Sequence, residues 1–111
     1  MEQGKKLKEK IKEKNIHRHY IAIYGSNYVM DKTIEELLEL GTEIAKYKNS
    51  LSKHSIQSNK NRKKKQPKEI MAELADVELR LSQLKMILST KGLQKSKKKK
   101  LKAWKERLLA L

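Results

Sequence analysis

A single proline, Pro67, and four glycines are all that interrupt a chain of 111 residues in which Lys, Glu and Leu predominate. Pro and Gly break helices, whereas Lys, Glu and Leu favour them, so each segment reads as helix or linker and the fold class is all-α. Residues 5–24 form a basic first segment in which Leu7, Ile11, Tyr20, Ile23 and Tyr24 share a loose stripe, closed by a turn at Gly25-Ser26-Asn27. Residues 28–48 predict a second helix, because Val29, Met30, Ile34, Leu37, Leu38, Gly41, Ile44 and Ala45 recur three and four apart. From 49 to 67 the periodicity is lost among small polar residues and a Lys/Arg run, the signature of a flexible basic loop. Pro67 suits a first helical turn and Glu69 complements the positive end of the helix dipole. In the third helix that follows, Ile70, Leu74, Val77, Leu81, Leu84 and Leu88 step by 4, 3, 4, 3 and 4, a seam for packing along another helix. Past Lys91-Gly92 a second basic run, Lys97 to Lys100, leads into a short amphipathic helix carrying Leu101, Trp104, Leu108 and Leu111. The expected architecture is four-helix and bundle-like, with residues 1–19 as a basic N-terminal helical extension on a domain spanning 20–111.

Size bounds what such a fold can do. A chain of 13.0 kDa makes one domain and buries about two thirds of its unfolded surface, which excludes a large self-contained catalytic core. Four Tyr, one Trp and no Phe leave little bulky material to pack, so further burial is expected from other subunits, as a homodimer or homotetramer. Tyr20, Tyr24 and Tyr28 recur at fours and read as packing, with stacking of one of them on a nucleobase as the alternative, and Trp104 reads as a subunit or helix-packing anchor. The absence of Cys rules out disulfides and thiolate zinc sites. His17, His19 and His54 are too scattered for an all-His cage and are expected on the surface. No stretch approaches the roughly 18 apolar residues of a membrane span, and residues 1–13 lack a signal-peptide core. A cytoplasmic protein without a membrane partner is the expectation.

The charge is large and unevenly spread. Twenty-eight Lys and Arg against 13 Asp and Glu give a formal net charge of +15, enough to attract nucleic acid or nucleotides. Yet Asp31, Glu35, Glu36, Glu39 and Glu43 face only Lys32 within residues 31–45, and Glu69, Glu73, Asp76 and Glu78 face only Arg80 within residues 69–84. On the second helix Glu36 and Glu39 lie three apart and Glu35 and Glu39 four apart; on the third, Glu73 and Asp76 lie three apart with Glu69 one turn upstream. Such spacings put carboxylates on one helix face. If the apolar stripes pack antiparallel across the basic loop, the acidic stripes converge. Carboxylates so placed repel unless a cation sits between them, and an all-oxygen site suits Mg²⁺ or Mn²⁺, with phosphate chemistry as the natural use.

The segments Glu35-Glu36-Leu37-Leu38-Glu39 and Glu73-Leu74-Ala75-Asp76 resemble the EExxE and ExxD pair of the MazG-like, all-α nucleoside triphosphate pyrophosphohydrolases. The context is similar as well: YGSNYVMDKTIEELLEL resembles the lead into the family's first metal-binding helix, EIMAELADVELRLSQLK its second, and KKKKLKAWKERL its closing basic helix. The resemblance covers roughly residues 20 to 108. It implies Mg²⁺-dependent cleavage of nucleoside triphosphates to a monophosphate and pyrophosphate by a helical dimer or tetramer. It further implies Glu36, Glu39, Glu73 and Asp76 as metal ligands, Glu35 as an orienting residue or general base, and Lys100, Lys105 and Arg107 as the nearest candidates for phosphate contacts.

Blander readings compete. A lone ExxE is usually a solvated helix face, and paired carboxylates can simply neutralise Lys on a neighbouring helix. The runs Arg62-Lys63-Lys64-Lys65 and Lys97 to Lys100 could hold substrate phosphates, contact nucleic acid non-specifically, or serve solubility alone. No helix-turn-helix, finger or aromatic RNA-binding motif accompanies them. The alternatives to an enzyme are thus a basic helical module that binds nucleic acid and a relative that keeps the fold without catalysis.

Overall fold

The computed structural model describes residues 2–53 and 67–111, with side chains for 12–51 and 67–111. These residues are all-α, in a four-helix, bundle-like arrangement of α1 (Glu2–Tyr24), α2 (Ser26–Lys53), α3 (Lys68–Ile87) and α4 (Leu93–Leu109). Of the expected basic loop, residues 54–66, including His54 and Arg62 to Lys65, lie outside the described residues. Its first part is helical instead. No breaker stands between Ala45 and Lys53, and half-buried Tyr47 and Leu51 carry the α2 stripe past residue 48.

Gly25 makes the break between α1 and α2. Its φ of +89° lies in left-handed space that side chains disfavour, and it closes one helix while opening the next. Its N–H donates to the Ile21 carbonyl at 2.8 Å, and its own carbonyl accepts from the Val29 N–H at 3.2 Å. Pro67 does the corresponding work for α3, where its carbonyl accepts from the Ile70 and Met71 N–H groups. Gly92, also at +89°, starts α4. The fourth helix therefore begins well before Leu101 and absorbs the Lys97 to Lys100 run, since Lys is a good helix former.

The main packing is α2 against α3. Lys32 lies near Arg80 while Glu36 lies near Glu73 and Asp76, so the two helices run antiparallel. On α2 the inner stripe is Val29, Thr33, Glu36, Leu40, Glu43, Tyr47 and Leu51, and on α3 it is Ile70, Glu73, Val77, Arg80, Leu81, Leu84 and Ile87. The α2 stripe is turned from the apolar one read in the sequence, whereas α3 keeps Ile70, Val77, Leu81 and Leu84 of its expected seam inward and adds Glu73 and Arg80. Ile34, Leu37, Leu38 and Ile44 stay exposed on α2, and Leu74 and Leu88 on α3, because carboxylates occupy seam positions. Val29 and Val77 are the buried apolar side chains among the described residues, beside buried His17, Thr33 and Gln83. The Thr33 hydroxyl is satisfied locally by donating to the Val29 carbonyl at 2.7 Å.

Helix α1 packs on both partners near Gly25 and runs unbroken through the 19/20 boundary. His17 is only 4% exposed, contrary to the surface position expected for it, because α1 turns that face onto Gln83 of α3. The Tyr20, Tyr24 and Tyr28 rings pack on one another, with Tyr20–Tyr24 and Tyr24–Tyr28 centroids 4.5 and 5.0 Å apart. Helix α4 stands off, exposed from Gln94 onward, and Trp104 is 55% exposed rather than buried against another helix of this chain. The radius of gyration of 18.8 Å exceeds the roughly 13 Å of a compact domain of this length.

Gly25→Ala tests the hinge. No atom lies within 4 Å of the added Cβ, so the cost is backbone strain alone. It should lower stability by about 1 kcal/mol, read as a fall in melting temperature by circular dichroism with helix content kept.

Candidate metal centre

The two acidic islands meet across the α2–α3 seam. Glu36 is an inner-stripe residue of α2, Glu73 is its counterpart on α3, and Asp76 follows Glu73 by three residues on the same face. One carboxylate oxygen from each of Glu36, Glu73 and Asp76 lies within 4.8 Å of the others. Glu36 and Glu73 are half-buried and Asp76 is exposed, so the cluster opens to solvent on the Asp76 side. The Oε2 atoms of Glu36 and Glu73 are buried without a hydrogen-bond partner. Buried polar atoms are nearly always satisfied, and an orphaned pair calls for a proton or a cation.

The electrostatics agree. Burial is the main cause that raises the Glu36 carboxyl above its ordinary range, with Asp76 and Glu39 adding to it while the adjoining Glu73 carboxyl and the charge of Arg80 oppose. Glu73 is pushed up to about 7, first by burial, then by the adjoining Glu36 carboxyl and by the charges of Glu39, Glu36 and Asp76. Two carboxyls this close do not both ionise readily, so without a cation protonation of one of them relieves the repulsion. Three carboxylates form an all-oxygen set suited to a hard divalent cation, and they leave coordination positions of Mg²⁺ for water or a phosphate oxygen.

The other sequence candidates sit elsewhere. Glu39 is exposed and acts on Glu36 and Glu73 through its charge, outside the group of three. Glu35 is exposed and accepts from Lys32 Nζ at 3.1 Å, and Glu43 pairs with Lys46 at 3.4 Å. Lys100, Lys105 and Arg107 are exposed on α4, and among the described residues none bonds to the cluster. The cation acting on Glu36 is Arg80, which donates to Gln83 Oε1 at 3.0 Å and to the Tyr20 hydroxyl at 3.2 Å. Gln83 in turn meets His17 Nδ1 at 3.1 Å. Arg80, Gln83, Tyr20 and His17 were not among the sequence candidates. The available signal was Arg80 itself, the one base in the second acidic island and one turn beyond Asp76.

Family models, curated proteins and solved structures give no match to this chain.

The Glu73 shift predicts a pH dependence. A carboxyl whose folded pKa is about 7 against an ordinary 4.5 holds its proton more tightly in the folded state, and the resulting stability is complete below pH 4.5 and lost as pH rises through 7. In EDTA the melting temperature should fall between pH 5 and pH 8. Glu73→Gln should flatten that fall, and an unchanged slope in the variant would remove Glu73 as its source.

Proposed function

We propose that this chain is a Mg²⁺-dependent nucleoside triphosphate pyrophosphohydrolase of the MazG-like, all-α kind, cleaving a triphosphate to a monophosphate and pyrophosphate. The observation that carries the reading is the pair of buried, partnerless carboxylate oxygens of Glu36 and Glu73, with Asp76 at their open side. A helix seam that places like charges together is costly unless something of opposite charge binds there, and the donor set fits a hard cation. Glu36, Glu73 and Asp76 would hold it, with Glu39 as the fourth carboxylate at the rim.

When bound, Mg²⁺ (or Mn²⁺) supplies Lewis-acid polarisation of a phosphate oxygen. The chain's own residues do the rest. Glu35, next to Glu36 and tied only to Lys32, accepts the proton of the water that attacks the α-phosphorus, or orients that water. The bond from the α-phosphorus to the bridging oxygen breaks, and pyrophosphate leaves with the bond's electron pair. Basic side chains steady that leaving charge.

The exposed apolar row Ile34, Leu37, Leu38 and Ile44, together with Trp104 and Leu108, supports a homodimer or homotetramer in which a second copy covers these faces. The exposed α4, with seven Lys and Arg107 against Glu106, favours a second reading: non-specific nucleic-acid binding without catalysis.

Incubation with a panel of ribo- and deoxyribonucleoside triphosphates separates the two. Monophosphate and pyrophosphate should form with Mg²⁺, vanish with EDTA, and fall at least about 100-fold in Glu73→Gln and Asp76→Asn. No turnover by the folded protein, with nucleic-acid binding that weakens steeply as salt rises, would establish the second reading instead. Leu38→Asp, at a position 68% exposed in the single chain, should yield monomers with a lower melting temperature in light scattering and thermal melts. An isolated surface site would tolerate the change within about 0.5 kcal/mol.

A further inference from the structure

Arg80 stands on α3 one turn beyond Asp76, the spacing at which an acid and a base on a helix usually pair. It does not pair. Among the described residues Arg80 makes no ion pair with any carboxylate, although its charge is felt at Glu36. Two neutral groups hold it instead. Its Nη2 donates to the Tyr20 hydroxyl and its Nη1 to Gln83 Oε1, with the guanidinium carbon 4.8 Å from the Tyr20 ring centroid.

The next link fixes the geometry. Because Gln83 Oε1 accepts from Arg80, the Gln83 amide nitrogen must donate to His17 Nδ1. Gln83 is 5% exposed and His17 is 4% exposed. A buried amide and a buried imidazole therefore set the plane of one guanidinium. Guanidinium has five N–H donors, and two of Arg80's are used. The remaining three, one on each terminal nitrogen and one on Nε, are the kind of donor that binds phosphate oxygens in pairs.

We infer that Arg80 is the phosphate-gripping residue of this site, with Tyr20, Gln83 and His17 as the residues that position it, and that its ligand is the polyphosphate of a nucleotide bridging from a carboxylate-held metal. The inference rests on the reading of Glu36, Glu73 and Asp76 as a metal site. It moves the phosphate contact from the lysines of α4 to the seam itself. A guanidinium that neutralised the cluster would compete with the metal, whereas one held off by neutral partners leaves the carboxylates to the cation and offers its donors to the anion.

Two probes test the two layers separately. Mn²⁺ alone, titrated by electron paramagnetic resonance, reads the carboxylates. Inorganic tripolyphosphate, titrated by calorimetry with and without Mn²⁺ in salt that screens the α4 lysines, reads the guanidinium through the metal-dependent gain in affinity. Arg80→Gln should bind Mn²⁺ at least as tightly as the unsubstituted chain, and should bind tripolyphosphate about 10- to 100-fold more weakly in the presence of Mn²⁺. Arg80→Lys should recover only part of that loss, since an ammonium lacks the paired donors. Mn²⁺ binding with tripolyphosphate affinity unchanged within about twofold in Arg80→Gln would overturn the inference and leave the metal site standing. Absence of Mn²⁺ binding to the unsubstituted chain would remove the metal reading and the inference with it. If Arg80→Gln does not fold by circular dichroism, Arg80→Lys decides alone: weaker tripolyphosphate binding supports the inference, and equal binding overturns it.

Discussion

Two glutamates facing each other across a helix seam are the interaction on which the rest of this structure depends. Glu36 and Glu73 occupy positions where a helix pair ordinarily keeps apolar side chains, and each buries an oxygen without a partner. Like charges in a poorly hydrated seam oppose folding unless a proton or a cation intervenes. The rise of the Glu73 carboxyl to about 7 is the proton solution, stabilising below neutrality and failing above it. A divalent cation held there would be the solution at neutral pH, in place of that proton. Carboxylates thus take seam positions, and the small apolar core lies around them.

Apolar residues take the positions left to them. With Glu36 and Glu43 turned inward on α2, and Glu73 and Arg80 on α3, the Ile34, Leu37, Leu38 and Ile44 edge is rotated outward. Burying one Val contributes roughly 1.5–3 kcal/mol, so Val29 and Val77 do little against the entropy of ordering four helices. A chain with so small a core gains more by covering its outer edge than by any repacking within.

Much of this was legible in the sequence, and what was not has a definite cause. The scarcity of Pro and Gly gave the helices, Gly25 and Pro67 marked two boundaries, and the unequal charge marked two acidic islands, of whose expected ligands Glu36, Glu73 and Asp76 come together while Glu39 stays outside. The rotation of the seam was hidden because apolar periodicity assumes that the apolar stripe faces inward, and the nearly parallel stripe of Val29, Thr33, Glu36 and Leu40 has the same period. His17 was misread for a related reason: its burial depends on Gln83, 66 residues away, which no local pattern encodes. The start of α4 was missed because a Lys run reads as solvated chain although Lys favours helix.

Charge counted along the chain and charge placed in the fold lead to different conclusions about phosphate. The net +15 draws the eye to the lysines of α4, which are numerous, flexible and hydrated, and which would raise the local concentration of any polyanion without orienting it. Arg80 is a single cation in an acidic island, easily dismissed as a counterion. Its hydrogen bonds argue otherwise, since a counterion would have closed on Asp76, whereas this one is held by a tyrosine hydroxyl and an amide whose own orientation is set by a buried imidazole. Orientation of a cleavable phosphate requires a donor whose position is fixed before the ligand arrives. On the proposed reading the α4 lysines would govern how fast a nucleotide reaches the seam and the guanidinium how it lies there, a division of labour that charge counting along the chain does not reveal.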